Sequence, residues 1–322
     1  MQGSFLGSWK CQTMISRTGL LTWGYCIEHA PATCVTLRWT KSGEGEGRYP
    51  SWKCGACHAE RGYLTGTLFE GSHLSLKDIF QLSYYWCRQT HTQEEIIFDM
   101  QRWGSAISRM SITGWNKLFR EICINFFVTN PIKIGGPGKV VEVDETVITK
   151  RKYNRGRLVA NQQWVFGGVE RGTGHCFLVP IERKDADTLL PIITEHILPE
   201  TTIMSDSWAA YGGIERLGCF FRHLTVNHSV NFVDPDTGAH TQTIEGTWSH
   251  FKARHKEERG TSRALFGSYV TQFVWRKHFK GHDVMYHLWS QIKALYKLWV
   301  WRERGYDMAE MVIVDVVKWL WV

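Results

Sequence analysis

No apolar run in the chain is long enough to cross a bilayer. The longest, "MVIVDVVKWLWV" at Met311 to Val322, is short and carries Asp315 and Lys318, which excludes a helical membrane span within it. The polar N-terminus does not read as a secretory leader, and nine scattered cysteines, an odd number, do not make a disulfide framework. A reducing compartment is therefore expected: nuclear in a eukaryote, cytoplasmic otherwise, and not secreted. Strong charge is also missing, since 38 Lys plus Arg against 31 Asp plus Glu leave only +7.

Two familiar ligand loops are absent as well. "NPIKIGGPGK" has the glycines of a phosphate-binding loop without their spacing, and no Ser or Thr follows Lys139, so a nucleotide loop is excluded and a linker is expected. "DPDTGAHTQTIE" from Asp234 places acids at positions 1, 3 and 12 of a calcium loop, but Ala239 stands where the sharp turn needs Gly.

What is present is enough apolar residue, 43% of 322, to bury two or three units. Residues 1–72 are rich in Gly, Trp and Cys. Cys54 and Cys57 form a Cys-x2-Cys knuckle, the spacing of half a zinc site, with Cys26, His29 and Cys34 as candidates for the other half. A second regular knuckle is lacking, so the segment reads as a degenerate zinc-ribbon-like unit, with unligated cysteines as the alternative.

Residues 73–130 change to helical period. Capping boxes at Ser75/Asp78 and Thr92/Glu95 open two helices, and a third carries the stripe Trp115, Leu118, Phe119, Ile122, Phe126. Three short helices suit a helix-turn-helix-like DNA-binding module, and any small bundle almost as well.

Residues 138–296 read as three strands, a helix, a strand, the helix-like "SWAAYGGIERL", a further strand and more helix, which is a mixed α/β sheet. Its first strand, "KVVEVDETVI", poses a problem, because Glu142 and Asp144 share one face of a run whose Val141 and Val143 are core-like. Asp206 ends a later strand, "TTIMSD", that can lie beside the first, and Glu245 opens the helix "TIEGTWSHFKARHK". Each acid alone is ordinary. Three converging acids would need cations to stay ionised, and a pair of Mg²⁺ or Mn²⁺ ions is the usual solution in phosphoryl transfer. Between Gly246 and Lys280, eight Lys or Arg against two Glu hold nearly all the net charge. Within that block Lys252, Arg254, His255 and Lys256 are candidates to grip DNA phosphates, with a solvated helix face as the ordinary alternative.

"VEVDET", "SDSWAAY", "TQTIEGTWSHFKARHK" and "SYVTQFVWRKHF" resemble, in that order, the catalytic domain of Merlin-type DDE transposases and their bacterial insertion-sequence relatives. The resemblance spans about residues 20–296. It implies a ribonuclease H-like fold and a metal-binding catalytic triad at Asp144, Asp206 and Glu245. It also implies two Mg²⁺ or Mn²⁺ ions, cleavage at an element's terminal repeats, joining of the 3′-hydroxyl to target DNA, and a homo-oligomer in the DNA complex. Glu142 is expected to be supporting or peripheral. Gln242 stands where the family would have Asn, and residues 297–322 match nothing in it. A domesticated DNA-binding protein without catalysis and a structure-specific nuclease are the competing readings.

Overall fold

The computed structural model describes five strand segments within residues 11–62 by their backbone, and residues 64–148, 163–227, 233–235, 238–258 and 262–295. The chain divides into two compact units, Met1–Gln81 with Ile292–Val322, and Leu82–Gln291.

The first unit contains an antiparallel meander of β1 (Cys11–Ile15), β2 (Leu21–Tyr25), β3 (Val35–Ser42), β4 (Ser51–Cys54) and β5 (Glu60–Gly62), each strand beside the next. Cys54 closes β4. Cys26, His29, Cys34 and Cys57 lie outside the described residues, and so does the zinc expectation that rests on them.

Both expected capping boxes form. Ser75 and Asp78 exchange bonds at the start of α1 (Leu76–Arg88), and Thr92 and Glu95 do so at α2 (Gln93–Arg102). The third helix, α3 (Arg109–Thr129), buries Trp115, Phe119 and Ile122 of the stripe read from sequence, together with Ile112, and leaves Leu118 and Phe126 half-buried. It packs along α6 (Arg263–His278), where the buried Arg120 donates to Ser268 Oγ at 3.2 Å and lies over the Tyr269 ring.

The "linker" is partly ordered: β6 (Ile134–Gly135) pairs in parallel with β10 (Ile197–Leu198). The main sheet follows, in the order β12-β11-β7-β8-β9. Its strands are β7 (Val140–Val147), β8 (Trp164–Glu170), β9 (Cys176–Ile181), β11 (Thr202–Asp206) and β12 (Arg222–Val226). The β7-β8-β9 meander is antiparallel, whereas β11 and β12 join β7 in parallel. Crossover α4 (Ala186–His196) covers one face, and α5 (Gln242–Glu257) and α6 cover the other. This mixed sheet flanked by helices fits the ribonuclease H-like expectation.

Pleating explains the acids. Val141, Val143, Phe166 and Phe177 face Leu189 and Ile193 of α4, while Val165, Val169 and Leu178 face Ile244, Trp248 and Phe251 of α5. Even-numbered β7 residues therefore point toward α5. "SWAAYGGIERL" forms two 3-10 turns, Ala209–Tyr211 and Ile214–Arg216, where a helix was expected. The Gly212–Gly213 pair interrupts the run, as weak helix formers do.

Candidate active site

Two carboxylates on one strand face have opposite environments. Glu142 is fully buried, and its Oε2 accepts from the backbone N–H groups of Thr243 at 2.8 Å and Ile244 at 3.0 Å. Its Oε1 accepts from Thr243 Oγ1 at 2.8 Å and Arg171 Nε at 2.6 Å. Arg171 also donates to the His240 carbonyl at 2.9 Å. Thr241, the N-cap residue of α5, makes no side-chain cap of its own. Glu142 therefore caps α5 from the neighbouring strand, satisfying donors that helix geometry leaves without partners and meeting the positive end of the helix dipole. It anchors the helix, which is the supporting one of its two expected roles.

Asp144, two positions on, has far less compensation. Trp248 Nε1 donates to its Oδ2 at 2.9 Å. Burial pushes its carboxyl up to about 7, the charges of Glu145 and Asp206 add to the rise, and the Trp248 and Glu145 N–H groups oppose it. Trp248 can reach this far because Gly167 is the register partner of Asp144. A Cβ on Gly167 would lie 2.8 Å from the Trp248 ring and 2.9 Å from the Phe177 carbonyl oxygen. The missing side chain makes room for the indole.

Asp206 arrives by register. β11 pairs with β7 through Thr202↔Val140, Ile203↔Val141 and Met204↔Glu142, an offset of 62, which is also the offset between Asp206 and Asp144. Both acids thus stand at the same end of adjacent parallel strands and on the same face. Trp208 N–H donates to Asp206 Oδ1 at 3.1 Å.

Glu245 sits in the first turn of α5, exposed, with Thr241 Oγ1 donating to its Oε1 at 3.1 Å. It lies one turn before Trp248, the Asp144 donor. Asp144 and Asp206 are brought together, and Glu245 is carried on the helix that both β7 acids hold. Among the described residues no three His, Cys, Asp or Glu side chains stand close enough to hold a metal ion as a group. The donor chemistry of the Asp144–Asp206 pair nevertheless suits a hard divalent cation: carboxylate oxygens, partly buried, with mutual repulsion for a cation to relieve.

On the opposite face Glu145 has two partners. Lys184 Nζ donates to it at 3.1 Å and the fully buried Tyr211 hydroxyl at 2.5 Å. Burial and the Glu145 charge push the Tyr211 hydroxyl well up, so it remains a donor. Lys184 lies over the Trp164 and Trp208 rings, which links this brace to the residue that holds Asp206.

The four basic candidates on α5 separate. Lys252 and Lys256 are exposed. Arg254 pairs with Glu257 at 2.8 Å and reaches the Gln89 carbonyl at 3.4 Å. His255 turns its ring edge-on to Phe266, and burial lowers its pKa. Arg276, in the same charged block, is also drawn inward. It donates to the Trp86 and Cys87 carbonyls at the end of α1 and stacks over Trp86, a C-terminal cap supplied by another helix.

Sequence reading missed the cap by Glu142, the Trp248–Asp144 bond and the Glu145–Lys184–Tyr211 brace. Trp248 offered the clearest signal, standing three residues after Glu245 on the same helix face.

Residues 135–278 match the model of the ISXO2-like transposase domain. A transposase-like protein of Haemophilus influenzae, itself uncharacterised, is 26% identical over 122 residues, covering 38% of this chain and 91% of its own. Among solved structures, the HTLV-2 integrase catalytic core in complex with magnesium is similar at 12% identity, covering 44% of this chain and 86% of its own, with a TM-score of 0.29. The BIV integrase catalytic core is similar at 14% identity, covering 48% and 96%, with a TM-score of 0.31. The region that carries the paired acids is transposase-like.

Proposed function

We propose that the protein is a DDE-type DNA transposase of the Merlin kind, in which Asp144, Asp206 and Glu245 act together on the phosphodiester at an element's end. The observation that carries this reading is the Asp144–Asp206 pair: two acids on adjacent parallel strands, one pushed up to about 7 by burial and by neighbouring negative charge, within a transposase-like segment. A fold spends stability to keep such a pair, and divalent cations are what the pair best accepts.

In this reading Asp144, Asp206 and Glu245 would hold two Mg²⁺ or Mn²⁺ ions, which would supply Lewis-acid chemistry at the phosphodiester. The chain's own residues prepare the place. Trp248 fixes one Asp144 oxygen. Glu142 holds the first turn of α5, and with it Glu245. Lys252 and Lys256 offer exposed positive charge to flanking phosphates, with Arg254 and His255 at the same helix end. The terminal repeats are recognised by residues 1–130, with Zn²⁺ held by four of Cys26, His29, Cys34, Cys54 and Cys57. The DNA complex is a homo-oligomer, and the compartment is the nucleus in a eukaryote and the cytoplasm otherwise.

The test is incubation of the full chain with duplexes carrying its own terminal repeats and Mg²⁺ or Mn²⁺. Nicking at the ends is expected, and Asp144→Ala, Asp206→Ala and Glu245→Ala should each lower it about a thousandfold or more while binding persists. Binding without cleavage by the unmodified chain would leave a DNA-binding derivative as the account. Cleavage of branched DNA regardless of the repeats would leave a nuclease.

A further inference from the structure

A second ligand-sized feature lies away from the acids. An open cleft of about 460 Å³ between α1 and α2 is lined by Tyr84, Tyr85, His91, Asp99, Arg102 and Trp103, a volume within the range of about 300–1,000 Å³ found for small-ligand sites. Its aromatic walls are wet: Tyr84 is 43% exposed and Trp103 54%. A helical bundle gains nothing in packing energy from leaving large planar side chains in water.

The polar groups are ordered rather than scattered. Tyr85 donates its hydroxyl to Asp99 Oδ2 at 3.0 Å and meets the His91 ring edge-on at 5.0 Å. Asp99 makes no other hydrogen bond among the described residues, so a positioned carboxylate retains acceptor capacity. Arg102 lies over Phe98 and Arg88 over Tyr84, both guanidiniums at 5.8 Å from the ring centroids. One cation, Arg102, thus lines an aromatic cleft with one acceptor in it, and a second, Arg88, lies against the Tyr84 ring that forms its wall.

We propose that this cleft binds a single unstacked nucleobase of DNA, one that presents an exocyclic amine, with its phosphate against Arg88 and Arg102. Each part of the ligand has a partner. The flat faces of Tyr84 and Trp103 stack a base, which is sequence-tolerant because every base has a π face. The Asp99 carboxylate accepts from an amine on the pairing edge, a contact available only when the base is unpaired. A bare aliphatic or acidic ligand would leave Asp99 or the rings without use, and a free carboxylate would meet Asp99 as a like charge. The inference rests on DNA being the substrate, as proposed above, but uses none of the metal chemistry.

The experiment compares binding of the full chain to a paired duplex carrying its own terminal repeats and to the same duplex with one unpaired guanine or a single-stranded overhang. The interrupted DNA should bind about tenfold more tightly. Trp103→Ala and Tyr84→Ala, both at exposed positions, should each bring the ratio of the two affinities close to one, whatever they do to binding of the paired duplex. Asp99→Asn should weaken guanine and cytosine relative to thymine at the unpaired position. A direct titration with dGMP, read as the fluorescence change that Trp103→Phe abolishes, tests the cleft when no long DNA is present. Equal affinity for both duplexes with no dGMP response overturns the cleft proposal alone, whereas failure to bind any duplex with dGMP binding intact overturns the transposase reading alone. If Trp103→Ala changes the oligomeric state and not DNA or dGMP binding, the cleft is a contact between copies and the proposal is wrong.

Discussion

Glu142 and Asp144 occupy the same strand face two residues apart, yet they belong to different economies. Around Glu142 the protein places a guanidinium, a hydroxyl and two helix N–H groups. Around Asp144 it places an indole N–H, the backbone N–H of Glu145 and two further acids, with no cation among the described residues. The lesson is that burial of an acid does not by itself mark a functional group. What separates these two acids is whether the surrounding chain has already supplied the compensating charge.

The sharpest way to break this comparison is to remove charge at one position and then at the other. Asp144→Asn should lower end cleavage about a thousandfold or more, measured as nicked product, and leave the fold intact because Trp248 still finds an acceptor. Glu142→Ala should do the reverse in kind. It strands Arg171 and the first turn of α5, and is expected to cost about 3–5 kcal/mol of stability in a denaturant titration, with activity lost through the fold.

The next test weighs the cost of keeping Asp144 ionised. Its folded pKa, about 7 against an ordinary 3.8, means that the folded state binds the extra proton between those values. Stability is fully favoured below about 4, falls as pH rises toward 7, and stays low above it. In metal-free buffer at pH 8, Asp144→Asn should therefore be more stable than the unmodified chain by about 2–4 kcal/mol, and the advantage should shrink on acidification. A constant difference from pH 4 to 8 would contradict this.

A smaller effect is expected from Gly167→Ala. The new methyl meets Leu178, Trp248 and a backbone oxygen, so a loss of about 1–3 kcal/mol is expected, with reduced cleavage as the indole is displaced from Asp144. The mildest change is on the histidine side. His278, beside His175 and close to His282 and His287, has its pKa lowered by burial and then by those neighbours. For a depressed histidine, stability is lost as pH falls below about 6.5, the opposite sign to Asp144. The thermal midpoint of Asp144→Asn should thus fall more steeply between pH 7 and 5 than that of the unmodified chain, and His278→Phe should flatten it.

Much of the fold could be read directly. Alternating Val and acid in "VEVDETV" marked β7, capping boxes marked α1 and α2, and the adjacency of "VEVDET" and "TTIMSD" followed from strand order. What could not be read involved distance or backbone. Glu142 is capped by N–H groups 101 and 102 positions away, and every residue there carries such a group, so no side-chain pattern announces it. Gly167 looked like any strand glycine until its partner across the ladder was known. Arg254 stood out as a candidate to grip phosphates and Arg276 only as one more charge of the basic block, but long side chains can fold back onto carbonyls at helix ends, and theirs do.

The cap that Glu142 provides also orders events in time. Its helix follows it in the chain by about a hundred residues, so during synthesis the sheet strands emerge first, holding Glu142 and its partner Arg171 before the helix N–H groups that the acid caps have been made. Only when α5 leaves the ribosome can the cap close, Trp248 seat itself over Gly167, and the helix that carries Glu245 dock. A nascent or truncated chain ending before His240 would carry Asp144 and Asp206 without Glu245, and so, if these acids cut DNA, the cell that makes this protein is shielded from a half-finished copy by the order of translation.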